Sequence, residues 1–272
     1  MIYLTIHEAV LYFFLYSFLG WIYESILVSV REKTWSNRGF LIGPICPIYG
    51  VGAVVAVLIC SNMTIPLTFV LCMLGSAVLE YTTAYALEKS FHASWWDYSN
   101  MPFNINGYIC LPASLGFGAA GVLIVHVMHP ILSVPVKIIP DILQQILALI
   151  LVAVCSSDLT LTVSSLSDFA VKIKNFETRV NQAISDKYDE LENTVSDRLA
   201  TVGRRTLLTD AARNSIIERE IKKADMKLNS IQRRAVQGIK KFKDSEVESR
   251  IHSMLLRLSA KARKSDERNN DD

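Results

Sequence analysis

Trp95-Trp-Asp-Tyr-Ser-Asn-Met-Pro-Phe-Asn-Ile-Asn-Gly-Tyr-Ile-Cys-Leu-Pro-Ala-Ser-Leu-Gly-Phe-Gly118 is the longest polar, aromatic and Gly/Pro-punctuated stretch between otherwise apolar runs. It has an earlier echo. Moved back by 68 positions, Gly107, Pro112 and Gly118 fall on Gly39, Pro44 and Gly50. In the same ungapped register Tyr108 falls on Phe40 and Phe117 on Tyr49. Upstream, each copy has a Trp (Trp35; Trp95 and Trp96) and, before that, a Glu inside an apolar run (Glu24; Glu80). The first half of the chain therefore reads as a duplicated unit: apolar helix with a buried Glu, aromatic loop, Asn/Gly/Pro entry, second apolar helix.

Composition divides the chain in two. The mean hydropathy of +0.29 averages unlike halves. Residues 1–165 carry 5 Lys/Arg against 8 Asp/Glu, a net of −3, and residues 166–272 carry 23 against 18, a net of +5. The first part has the composition of a membrane region and the second that of a solvated one. The five cysteines sit in apolar runs with no CxxC pair, the pattern of packing thiols and not of a zinc or redox site. No cleavable signal peptide is expected, because no Lys or Arg precedes the first apolar run and no small-residue cleavage site follows it.

Crossing the hydrocarbon takes about 20 apolar residues as a helix. Five segments qualify, at about 8–30, 47–64, 66–88, 109–129 and 140–164, with His129-Pro130 expected to end the fourth. The loops at 31–46 and 89–108 hold four Lys/Arg and the tail 23, against only Lys137 on the other side. The positive-inside rule then puts the tail and both loops in the cytoplasm and the N-terminus outside. The fold class expected is all-α and polytopic. Its transmembrane domain, 1–165, comprises two parallel helix-pair repeats (8–64 and 66–129) and a fifth helix. A cytosolic amphipathic, coiled-coil-like tail, 166–272, follows.

In the tail, Phe169, Ile173, Phe176, Val180, Ile184, Tyr188, Leu191, Val195, Leu199 and Val202 recur at spacings of three and four until Gly203. A second stripe runs from Ile217 to Phe242 and a third from Val247 to Leu258, and the end from Lys261 is polar. Such stripes suit pairing with a cytosolic protein or between copies of this chain. The basic positions suit a solvated face or anionic lipid heads.

Ionisable groups within spans are costly and mark function or a buried pair. Three qualify: Glu24, Glu80 and Asp158, each past the midpoint of its helix toward the tail side. Their small and hydroxyl neighbours suit a helix–helix contact face, so a common polar pocket is expected in the cytoplasmic half. Two readings stay open. Arg38 and the amides of Asn37, Asn104 and Asn106 satisfy the carboxylates and lock loops onto helices, or a carboxylate binds a proton, a cation or a cationic group of a substrate. Asp97, beside the Trp pair, reads as a loop cap or Asx turn and completes the candidate set. His126 and His129 share a helix face at the outer end without an acidic or Cys partner, so an interfacial role is favoured over a metal. Trp35, Trp95 and Trp96 read as interfacial anchors. There is no GxSxG, HExxH or P-loop, so no catalytic residue, metal or cofactor is expected and an ATPase centre within the chain is excluded.

The motifs Ser17-Phe-Leu-Gly-Trp-x-x-Glu24, Asn37-Arg-Gly-Phe-Leu-x-Gly-Pro44 with Pro47-Ile-Tyr-Gly50, and Trp96-Asp-Tyr-Ser99 with Phe103-Asn-x-Asn-Gly-x-Ile-Cys-Leu111 occur in order. Over residues 10–165 this resembles the bacterial membrane family called putative ABC-transporter type IV, or permease-like. The resemblance implies a transport component working with a separate ATPase subunit in the lipid bilayer. The Glu-Ala-Ala docking loop of familiar ABC importers is missing. A membrane scaffold or regulator that recruits a cytosolic partner through its tail is the competing expectation; no nucleic-acid partner is expected.

Overall fold

The computed structural model describes residues 4–33 and 39–194, together with a few positions between 215 and 242. The chain divides into two compact units, Met1–Ser164 with Gly238–Lys241, and Ser165–Gln237 with Phe242–Asp272. In the first, helix α1 (Ile6–Glu32) opens on a capping box: the Thr5 hydroxyl accepts from the Glu8 amide, and the Glu8 carboxylate accepts from the Thr5 amide at 2.8 Å. Lys33 closes it in the left-handed conformation, at φ 52°. Helix α2 is Pro47–Cys60, and α3 is Ile65–Phe91, closed by His92 at the same φ. Helix α4 (Leu111–Leu123) runs through a π turn (Ile124–Met128) into α5 (His129–Ile138), and α6 is Asp141–Thr194.

Four described helical runs are long and apolar enough to cross a membrane: Ile6–Val30, Ile65–Phe91, Leu111–Ile138 and Asp141–Lys187. Large apolar side chains such as Leu74, Val78, Ile131 and Leu149 are exposed along them, as a lipid-facing surface requires. This is an all-α, multi-pass membrane protein.

Three elements differ from expectation. The second apolar segment forms a helix of only 14 residues, roughly 21 Å at 1.5 Å per residue, short of a full crossing. The fourth run does not end at His129-Pro130. Pro130 has no N–H for the carbonyl of His126, so the turn widens and the His129 amide reaches back to Ile124. The helix then continues to Ile138. Buried Gln144 closes the next corner, its amide donating to Val136 O (3.1 Å) and Ile139 O (2.9 Å). Finally, α6 is one helix of 54 residues, because nothing near Ser165 breaks it: the stretch has no Gly or Pro.

In the second unit Leu166, Phe169, Phe176 and Val180 are buried on α6, which follows the first expected stripe. Ile216 is buried as well, and Gln232 donates to Ser165 O at 3.4 Å. The stripe beyond Thr194, most of the second stripe and all of the third lie outside the described residues.

Helices α1 and α2 pack closely because Gly50 lets them. A Cβ there would overlap Ser17 Oγ and the carbonyl oxygen of Phe13. The α3–α4 pair meets in the same way at Gly118, over Phe69 and Met73. At Gly116, by contrast, an added Cβ would have nothing within 4 Å. Gly50→Ala should therefore destabilise the detergent-solubilised protein by about 1–3 kcal/mol through overpacking. Gly116→Ala should raise its melting temperature slightly, by up to about 1 kcal/mol of helix propensity. Equal melting temperatures for the two variants would contradict this packing.

Two loops bend back alongside the helices. The Cys46 amide donates to Ser17 O at 2.9 Å, and a Cβ on Gly39 would lie 3.8 Å from the Trp21 ring. The 39–46 segment thus runs beside the middle of α1, well short of the helix end at Glu32. Non-helical backbone at membrane depth is tolerated where protein covers it and satisfies its polar groups. The 92–110 loop carries a small hairpin, Asn104–Ile105 against Ile109–Cys110. Its turn has Asn106 and Gly107 both at positive φ, 53° and 73°, as an Asn-Gly turn of type I′ requires. Its first part reaches back along α3.

Candidate functional site

Asp158 lies 17 residues into α6 and takes the 39–46 loop by its backbone. Its two carboxylate oxygens accept from the amides of Ile42 (2.9 Å) and Gly43 (2.7 Å), and Thr162 Oγ1 donates to it at 3.1 Å. A carboxylate bridging successive amides satisfies donors that would otherwise be stranded among apolar side chains. Asp158 is thereby the anchor of the first loop.

Glu24 stands eight residues before the end of α1, and Glu80 eleven before the end of α3, roughly 12 and 16 Å in from the same side at 1.5 Å per residue. The start of α2 brings the Tyr49 hydroxyl to Glu24, where it donates to Oε1. The 92–110 loop brings the Tyr98 hydroxyl to Glu80 Oε1 at 3.3 Å. The two carboxylates are electrostatic neighbours, and Tyr98 feels both. Burial first, and then Glu80 and Glu24, push the Tyr98 phenol well above its usual range, so it stays a neutral donor. The ring of Phe117, on α4, approaches Tyr49 at 6.0 Å, which joins α4 to the group.

Glu80 is the unusual member. It is 5% exposed, and its Oε2 has no hydrogen-bond partner among the described residues. Carboxylates buried this far are normally paired or fully hydrogen-bonded.

The remaining candidates serve the loops. Asp97 accepts from the Ser99 amide (2.9 Å) and hydroxyl (2.5 Å), an Asx turn. A Cβ on Gly107 would meet that turn, 2.6 Å from Ser99 Oγ and 2.8 Å from Asp97 Oδ1, so glycine is required there for space as well as for φ. The Asn104 amide donates to Ser99 O (3.1 Å) and Met101 O (2.9 Å), and that of Asn106 to the Tyr81 hydroxyl (3.2 Å). Neither donates to a carboxylate, contrary to the structural reading of the sequence; short side chains in a tight turn are captured by their own neighbourhood. Asn37 and Arg38, like Trp35, lie outside the described residues.

His126 and His129 also part company. His126 Nε2 bonds Thr68 Oγ1 at 3.1 Å, and His129 Nδ1 bonds the Tyr16 hydroxyl at 3.1 Å. The π turn between them sends the rings to different helices, and His129 is buried against Tyr12, not interfacial. No group of three or more potential metal ligands occurs among the described residues. Trp95 is likewise buried, edge-on to Phe40 and Phe91, and is no surface anchor.

Sequence reasoning missed Tyr49, Tyr98 and Glu88. Glu88 accepts from Tyr108 Oη (2.7 Å) and Ser94 Oγ (3.1 Å), tying both ends of the second loop to α3. Tyr49 carried a signal, since it is the register mate of Phe117 and belongs to the Pro47-Ile-Tyr-Gly50 motif. Tyr98 carried the same kind of signal, as a member of the Trp96-Asp-Tyr-Ser99 motif, whereas Glu88 carried none that separates it from a solvated helix end.

The sequence pattern of one protein family, described as "Putative ABC-transporter type IV", matches residues 11–163, which include every residue of this site. No curated protein and no solved structure gives a significant match.

Proposed function

We infer that this chain, which belongs to the family described as putative ABC-transporter type IV, works as a permease-like component of a transport system. The observation that carries the reading is Glu80: a carboxylate at membrane depth, 5% exposed, with one oxygen that has no partner among the described residues and a second carboxylate as its electrostatic neighbour. Such a group is costly to keep unless it is used. Glu24 and Glu80 form the binding element for a positive charge, either a proton, a cation or a cationic group of the substrate. Tyr49 and Tyr98 hold them in place, and Asp158 has the supporting role of fixing the loop below.

The chain crosses five times, α2 and the inward-bent 39–46 segment together completing the second crossing. The N-terminus is outside. The two loops, the site's entrance and the tail are cytoplasmic, as the Lys/Arg distribution favours. The first four crossings form two parallel helix pairs. Gly50 packs on Phe13 and Ser17, and Gly118 on Phe69 and Met73. These contacts keep a constant offset of 56 in the first helix of each pair, which is also the Glu24-to-Glu80 spacing, and 68 in the second. The chain is not itself an enzyme; a separate ATPase subunit supplies any nucleotide hydrolysis.

A second reading, a membrane scaffold, is favoured by the tail: α6 runs on far beyond the length needed to cross a bilayer. That tail would bind a cytosolic protein or a second copy of the chain. Purification of the full-length protein from native membranes in mild detergent separates the two. An ATPase that co-purifies in fixed ratio supports the permease; co-purification of a non-ATPase protein alone, with uptake phenotypes absent, supports the scaffold.

A further inference from the structure

We propose that Glu80 is a proton-binding site, its Oε2 carrying a proton in the resting chain. This rests on the reading of Glu24 and Glu80 as one site and names the ligand that occupies it at rest. Three observations meet here. Glu80 Oε2 is buried and accepts no hydrogen bond from any described group. The Tyr98 hydroxyl from the second loop occupies Oε1 of Glu80, and the Glu24 carboxylate of α1 is an electrostatic neighbour of both. Tyr49, from α2, donates to Glu24 and not to Glu80. No base stands opposite Glu80 among the described residues.

Two carboxylates in one desolvated site do not both ionise readily; one keeps a proton. The geometry decides which. Glu80 has one long donor, Tyr98, on Oε1 and an Oε2 that accepts nothing from the described residues, so the proton belongs there. A proton needs no cavity, so it is the ligand that fits a side chain packed to 5% exposure. Its exchange is simple: the Oε2–H bond breaks, the electron pair stays on Oε2, and the proton passes to water on the side from which the loops enter.

Infrared difference spectroscopy of the full-length protein in detergent tests this without a known substrate. The parent at near-neutral pH should show the C=O stretch of a neutral carboxylic acid that is missing from Glu80→Gln and retained in Asp158→Asn. The band should give way to carboxylate absorption as the pH is raised. A hydrophobic carbodiimide provides a second readout: the O–H of a protonated buried carboxyl adds across its C=N bond to give an O-acylisourea, whose acyl group then shifts from oxygen to nitrogen to leave a stable N-acylurea. Mass spectrometry should find that adduct on Glu80, at a yield that falls with rising pH, and on no residue of Glu80→Gln. Absence of both the band and the adduct at Glu80 overturns the proton site. If Glu80→Gln nevertheless abolishes uptake, the binding site itself survives and only its resting ligand was wrong. If Glu80→Gln is silent as well, the binding site falls with it.

Discussion

Asp158→Ala should destabilise the protein more than the loss of any other carboxylate in the bundle. The substitution strands the amides of Ile42 and Gly43, which donate to the two carboxylate oxygens at 2.9 and 2.7 Å. It also leaves Thr162 without its acceptor. Hydrogen bonds to a charged group contribute about 1.5–3 kcal/mol each. Together the loss of the two half-buried amide hydrogen bonds is on the order of 3–5 kcal/mol. At about 2–4 °C per kcal/mol for a chain of this size, the melting temperature should fall by about 10 °C. Asp158→Asn should lie between, since it keeps one acceptor oxygen but turns an amide donor toward a backbone N–H. A melting temperature for Asp158→Ala within a degree or two of the parent would mean that the loop does not depend on α6.

Glu80→Gln should show the opposite profile. Gln is nearly isosteric with Glu, and its carbonyl can still accept from Tyr98, which lies 3.3 Å from Oε1. Stability should therefore stay within about 1 kcal/mol of the parent. What disappears is the exchangeable proton and the carboxylate that its release would leave. A contact between a cation and a desolvated carboxylate contributes about 1.5–3 kcal/mol, or roughly 10–100-fold in affinity. Uptake, or growth where it depends on uptake, should fall by that order while the melting curve hardly moves. Tyr98→Phe should weaken uptake less, because it removes the donor but leaves the carboxyl. If Glu80→Gln lowers stability and function together, Glu80 is a structural residue.

The contrast between these two carboxylates shows where the sequence is readable and where it stops. Helices α1 and α3 were legible because 20 or more predominantly apolar residues have few alternatives in a region poor in charge. The three membrane carboxylates stood out for the same reason, as rare ionisable groups in apolar runs. Their roles were not legible. Asp158 meets Ile42 and Gly43 across more than 110 residues, and through backbone amides, which every residue possesses. Glu80 meets Tyr98 through a loop that doubles back, and composition does not reveal a reversal of that kind. Helix α2 looked long enough because Met63 was counted with the apolar run that ends at Cys60; the turn there is set by the Ser61-Asn62 pair and Pro66. Pro130 was over-read. A proline ends a helix unless a π turn absorbs its missing hydrogen bond, and the neighbouring helices of the bundle hold that turn in place. The start of the first tail stripe was legible from its period of three and four, whereas the unbroken run of α6 from the fifth apolar segment into that stripe was obscured by the change from apolar to amphipathic pattern.

All of this depends on the Gly39–Cys46 loop being lowered into the helical bundle and held there, because that placement brings Tyr49 to Glu24 and seats the site. Hydrogen–deuterium exchange of the intact protein in detergent or nanodiscs measures it directly. Peptides spanning 39–46 should be protected nearly as well as the helices, since the amides of Ile42, Gly43, Ile45 and Cys46 are all bonded, and that protection should vanish in Asp158→Ala. Exchange of 39–46 in the parent at the rate of an exposed loop would contradict the account.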